Sequence, residues 1–219
     1  MELKGKTVNF LGDSITHGSG ATSDEMCYCS VLGQKFGLKS ANNYGICGTR
    51  IARQQKPSKC EQFDVYFASR IDDMEKDADA VVVFGGTNDF GHGDAPIGTF
   101  SDRTCDTFYG ACHDLFKRLT EKYPDVPIVV VTPLHRLGED NPRGDGSKPQ
   151  DGRLLEDYVD IILEVARYYS LPVCDLYAKS GLQPNVPVIN EKYFKDGLHP
   201  NDAGHAVIAD KIGKFLLSL

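Results

Sequence analysis

A chain of 219 residues with 41% hydrophobic and 25% charged side chains is long enough to build one globular domain around a substantial core. Its formal net charge of −7, with Lys and Arg scattered along the chain, excludes a nucleic-acid groove and a basic amphipathic membrane helix. No apolar run approaches the roughly 20 residues that span a bilayer.

The first predicted strand covers residues 7–11 and follows directly on Met1-Glu2-Leu3-Lys4. No apolar leader precedes it, so the expected location is cytoplasmic. This strand runs into Gly12-Asp13-Ser14, within VNFLGDSITHG. Gly and Asp suit a tight turn, and Ser14 or Thr16 can cap a helix. Next come a predicted helix over 25–36, a strand over 40–44, a helix over 61–74 and a strand over 80–84. The polar loop 91–101 leads to a helix over 102–122 with Phe108, Cys112, Leu115, Phe116 and Leu119 on one face. A strand over 128–132, a polar loop over 134–152, a helix over 152–169 and a strand over 172–175 follow. The last helix, 202–217, has Ala206, Ile208, Ala209, Ile212, Phe215 and Leu216 as its apolar set.

The seven cysteines are odd in number for a chain of this length, so reduced thiols are expected rather than a disulfide framework. Cys27 and Cys29 lack the second pair a zinc site needs. The runs AVVVF and IVVV are continuously apolar, as in strands covered on both faces. Alternating strands and helices therefore predict a parallel sheet between helical layers, in a single three-layer α/β domain over 1–219.

In such a sheet the segments that follow strands meet at one rim. Ser14 follows the first strand, NYGICGTR the second and GGTNDF the third, and DGLHPND precedes the last helix. Together they hold a hydroxyl, two glycine turns, a carboxamide and an Asp-His pair. Acyl transfer needs this set. A serine hydroxyl needs a base, a neutral imidazole serves near neutral pH, and a carboxylate fixes its tautomer. Asp196 and His199, three residues apart, can meet within one turn of chain. Backbone N–H groups of Gly48 and Ser14 and the Asn88 carboxamide can serve a developing oxyanion. Each piece also has a plain structural role: Asp196 as a turn residue, His199 as a packing residue, Asn88 and Asp89 as caps. Four such coincidences at four rim positions are less economical than one site.

These blocks resemble, in order, the four motifs of the SGNH hydrolases, the GDSL-type lipase/acylhydrolase superfamily. LGDSIT is similar to the first with Ser14 as nucleophile, NYGICGTR to the second with Gly48, GGTNDF to the third with Asn88, and DGLHPND to the last with Asp196 and His199. Ile15 stands where the founding motif has Leu. The resemblance implies a flavodoxin-like five-stranded sheet of order 2-1-3-4-5 and ester hydrolysis with no metal or cofactor. It leaves the substrate open among lipases, thioesterases, carbohydrate deacetylases and arylesterases.

The two rim loops narrow that range. Residues 134–152 carry His135, Arg136, Glu139, Asp140, Arg143, Asp145 and Lys148 but few apolar groups. A long acyl chain needs an apolar trough, since each buried CH₂ gains roughly 0.8 kcal/mol. The expectation is a short acyl group on a polar carrier such as a carbohydrate ester, with neither nucleic acid nor membrane as partner. His135 and Arg136 are candidate substrate contacts, and His17 and His92 also fall near the rim. His113 and His205 are expected to be structural. The alternatives are a lipase or thioesterase on longer chains, an acyltransferase, and a non-catalytic binding module on the same fold.

Overall fold

In the computed structural model, which describes residues 1–148 and 153–219, five parallel strands form one sheet in the order β2-β1-β3-β4-β5. They are β1 (Thr7–Gly12), β2 (Ser40–Gly45), β3 (Ala80–Phe84), β4 (Ile128–Val131) and β5 (Val173–Cys174). This is the predicted order, and all five strands match the predicted spans within a residue at each end. The fifth loses one residue at each end because only Val173 and Cys174 pair with β4.

Side chains alternate across a strand, and both faces are covered. Leu11, Val81, Val83, Ile128 and Val130 pack against α4 (Phe108–Lys122) and α5 (Leu155–Tyr168). Val8, Phe10, Val82, Phe84, Val129 and Val131 pack against α2 (Tyr28–Phe36) and α8 (Asp202–Leu217). Each large side chain so buried contributes roughly 1.5–3 kcal/mol. The sheet therefore forms a rigid floor, and its carboxyl-terminal rim is where the loops gather.

Several helix boundaries differ from the sequence expectation, each for a local reason. The helix predicted over 25–36 is interrupted: a 3₁₀ turn, Asp24–Met26, precedes Cys27, whose extended backbone precedes α2. The segment 61–74 is two 3₁₀ turns, Glu61–Asp64 and Phe67–Asp73, because Arg70 turns inward to the rim instead of lying on a polar face. The helix predicted from 102 starts at Phe108, where Thr107 Oγ1 accepts from Gly110 N at 3.1 Å. The predicted start of the next helix, at 152, lies outside the described residues, as do residues 149–152 of the loop before it. In α8, Ile208, Ala209, Ile212 and Leu216 are buried as predicted and Phe215 packs against them, but one position differs. Ala206 is exposed and His205 is buried, its Nδ1 accepting from Tyr28 N at 3.2 Å and its Nε2 donating to Ser19 O at 3.3 Å.

Four short helices lie outside the predicted helix spans: α1 (Ser14–His17), whose cap is Asp13 and not Ser14 or Thr16, α3 (Thr87–His92), α6 (Leu176–Lys179) and α7 (Pro187–Tyr193). Among the described residues, no helix is long and apolar enough to cross a membrane.

Candidate active site

Ser14 owes its position to the abrupt end of β1. A Cβ on Gly12 would collide with the Thr16 side chain, so only glycine lets the chain turn directly from strand into α1. Asp13 caps that helix, its Oδ1 accepting from Ile15 N at 3.0 Å. Ser14 is thereby the first residue of α1, at the edge of the sheet.

The DGLHPND segment is a tight loop closed by a bridge between Phe194 and Pro200. Asp196 Oδ1 accepts from Leu198 N at 3.0 Å and His199 N at 2.7 Å. Its other oxygen, Oδ2, lies 2.8 Å from His199 Nδ1. An ionised carboxylate can only accept, so Nδ1 carries the proton and Nε2 is left with a lone pair. That nitrogen lies 3.0 Å from Ser14 Oγ. Burial acts to raise the Asp196 carboxyl, but the hydrogen bonds from the His199 ring and from the His199 and Leu198 amides outweigh it and hold the group below the usual carboxylate range.

Gly48 sits in the turn after β2 with φ +74, a left-handed conformation that favours glycine. A Cβ there would also run into the Phe63 ring. Asn88, in the first turn of α3, donates from Nδ2 to Thr49 O at 2.9 Å. Its carboxamide has a second N–H to offer, and the Thr49 bond sets it beside Gly48.

What holds this turn was only partly visible in the sequence. Asp89, one residue past Asn88, accepts from Ile51 N at 2.9 Å and Ala52 N at 2.8 Å. Arg70 donates to Tyr44 O at 2.7 Å, Gly12 O at 3.1 Å and Thr49 Oγ1 at 3.1 Å, tying the ends of β1 and β2 together. The only signal for Arg70 was a cation inside the apolar stretch FASRI. Burial pushes the Asp13 and Asp89 carboxyls up to about 6, against the amides that favour their ionised forms, and lowers the Arg70 guanidinium to about 10.

Ser14, His199 and Asp196 thus form one chain of contacts, and Gly48 and Asn88 meet through Thr49. His135 and Arg136 are engaged elsewhere. His135 Nδ1 lies 2.8 Å from Glu139 Oε2 and the ring packs on Tyr177. The buried Arg136 donates to Thr87 O and Oγ1 at 3.3 Å and to Asp145. His17 is exposed at the end of α1, and His113, buried on α4, lies 3.3 Å from Tyr169 OH. Among the described residues, no three His, Cys, Asp or Glu side chains are grouped so as to hold a metal ion.

A parallel 2-1-3-4-5 sheet that brings Ser, Gly, Asn and His to one rim from four separate blocks defines the SGNH class of α/β proteins. The chain belongs to the GDSL-like lipase/acylhydrolase family, which it matches over residues 10–207. A protein of known structure from Lactobacillus plantarum is 33% identical, with a TM-score of 0.84 over 99% of this chain and 98% of that one. The lipase/acylhydrolase from Enterococcus faecalis shares the fold at 19% identity and TM-score 0.65, covering 97% of this chain and 96% of its own. A carbohydrate acetylesterase family member from Sinorhizobium meliloti does so at 18% and 0.63, covering 97% and 98%. No curated protein gives a significant match.

Proposed function

We propose that the protein is a serine esterase that removes a short acyl group, acetyl in size, from a polar carrier such as a carbohydrate. The observation that carries the reading is the contact chain Ser14 Oγ, His199 Nε2, His199 Nδ1, Asp196 Oδ2, at 3.0 and 2.8 Å. His199 Nε2 takes the Ser14 proton as Oγ attacks the ester carbonyl. The carbonyl oxygen becomes an oxyanion held by the N–H groups of Ser14, Gly48 and Asn88 Nδ2. His199 then gives its proton to the departing alcohol, leaving the acyl group on Ser14. Water, deprotonated by the same ring, attacks this ester, frees the acid and returns the proton to Ser14. Asp196 holds the ring in the required tautomer throughout.

Two observations favour a small acyl group. The Phe63 ring packs directly against Gly48, closing that wall of the site. The described parts of the loops after β3 and β4 are stitched by polar contacts, such as Asp94 with Gln55 N and Glu139 with Gln183. The carbohydrate acetylesterase family member among the structural neighbours is consistent with this choice of carrier. A series of p-nitrophenyl esters tests the acyl size: kcat/KM should peak between acetyl and butyryl. A maximum at octanoyl or longer would move the reading to a long-chain acylhydrolase and point to Leu137, which lies beside Gly197 and is 42% exposed.

A further inference from the structure

A pocket of about 440 Å³ opens beside α3, with Gln54, Gln55, Lys56, His92, Asp94 and Ser147 among its walls. That volume falls in the range of small-molecule sites. None of Ser14, Gly48, Asn88 or His199 lines it, but His92 does, four residues after Asn88, on the same face of α3 and one turn, ~5 Å, along it. One wall is fixed by Asp94, whose oxygens accept from Gln55 N at 2.7 Å and Lys56 N at 2.8 Å, while its own amide donates to Gln54 Oε1 at 3.3 Å.

The orientation of His92 is also fixed. Arg50 Nη1 lies 2.8 Å from His92 Nδ1, and a guanidinium can only donate, so Nδ1 accepts and the neutral ring carries its proton on Nε2. Burial and the Arg50 charge both disfavour a second proton. The Phe63 ring, 6.2 Å away between centroids, backs the imidazole. Nε2–H has no partner among the described residues. The pocket therefore holds a neutral, rigid donor one helical turn from the carboxamide, in a lining that also carries the side chains of Gln54, Gln55, Ser147, Lys56, Lys148 and Asp94.

We propose that this pocket is a subsite for the hydroxyl-bearing part of the ester, a sugar ring, and that His92 Nε2–H is the donor that selects it by binding a sugar oxygen. The proposal rests on the small-acyl esterase reading: with an acetyl-sized acyl group, only the carrier has the bulk to fill such a volume. A neutral fixed donor suits an uncharged oxygen.

The test compares p-nitrophenyl acetate with 6-O-acetylglucose in the wild type, His92→Leu and His92→Gln, with circular dichroism as the fold control. His92→Leu should raise KM for the sugar ester roughly two- to tenfold, the equivalent of one neutral hydrogen bond, and leave p-nitrophenyl acetate within about twofold. His92→Gln should restore the sugar ester, because its amide can accept from Arg50 and donate to the pocket. Equal losses on both substrates, or none on the sugar ester, would overturn the subsite. A wild type inactive on p-nitrophenyl acetate would instead sink the esterase reading. Binding separates the two: in Ser14→Ala, the His92 Nε2–H resonance should shift on titration with 6-O-acetylglucose, and an unmoved resonance rejects the subsite whatever the activity.

Discussion

Replacing Asn88 by Ala tests the two tasks its carboxamide performs. One N–H of Nδ2 holds Thr49 O at 2.9 Å, and the other is assigned to the oxyanion. Losing an oxyanion donor typically lowers kcat by about 10²–10³-fold, the equivalent of about 2.7–4 kcal/mol of transition-state stabilisation. The ground-state ester gains little from that donor, so KM should move far less. The buried Thr49 carbonyl also loses its donor, which costs about 1–3 kcal/mol of stability. In a chain of this size that corresponds to a fall in Tm of about 2–4 °C per kcal/mol. Steady-state hydrolysis of p-nitrophenyl acetate well below the transition, paired with thermal melts, measures both effects. A raised KM with unchanged kcat would make Asn88 a substrate-binding residue and refute its assigned role. A catalytic loss with no change in Tm would refute the idea that the Thr49 bond anchors the turn.

Ser14→Ala should keep its fold and lose nearly all turnover, and mass spectrometry after organophosphonate treatment of the wild type should place the adduct on Ser14; an adduct on another residue contradicts the mechanism. Asp196→Asn should lower kcat sharply, yet by less than the roughly 10⁴-fold of a buried triad acid, because the Asp196 side chain is 51% exposed and water can replace part of its hydrogen bond; unchanged kcat would remove the acid from the mechanism. The carboxyl of Asp13, raised from 3.8 to about 6, binds its proton more tightly in the folded state. Its contribution to stability is therefore full below pH 3.8 and is lost as pH rises through about 6. Asp13→Asn keeps the cap on Ile15 and does not titrate, so the wild type should weaken relative to it between pH 4 and 7, by on the order of 3 kcal/mol in urea unfolding; parallel profiles would refute the burial argument.

The sheet was legible because its pattern is simple. AVVVF and IVVV are apolar at every position, which suits only strands covered on both faces, and the order followed from the resemblance. The helices were legible where one stripe met the core, as in α4, and illegible where an inward polar group broke the stripe. His205 is such a case, since its two ring nitrogens find partners on α2 and on the loop at Ser19. Arg70 is another, because its partners are carbonyls at the ends of two distant strands. The residues assigned to catalysis were visible as chemical types at spaced blocks. Their supports were not, because a carboxylate that caps two amides 37 and 38 positions earlier leaves no local periodicity.

Those supports would let an irregular turn carry the proposed oxyanion hole. Residues 46–52 form neither helix nor strand, so their amides have no ladder to fix them. A hole works only if its donors are already aimed when charge develops. Asp89 takes two of the amides, Arg70 ties the Thr49 hydroxyl to the Tyr44 and Gly12 carbonyls at the strand ends, and the Thr49 carbonyl passes that constraint to Asn88. Both ionisable groups are buried, and burial opposes the charge on each. An apolar pair of the same volume would avoid that penalty, but it could not bind amides and carbonyls at defined angles. The unfavourable protonation energetics and the fixed geometry of the turn therefore have one cause: charged side chains buried where backbone polar groups would otherwise have no partner.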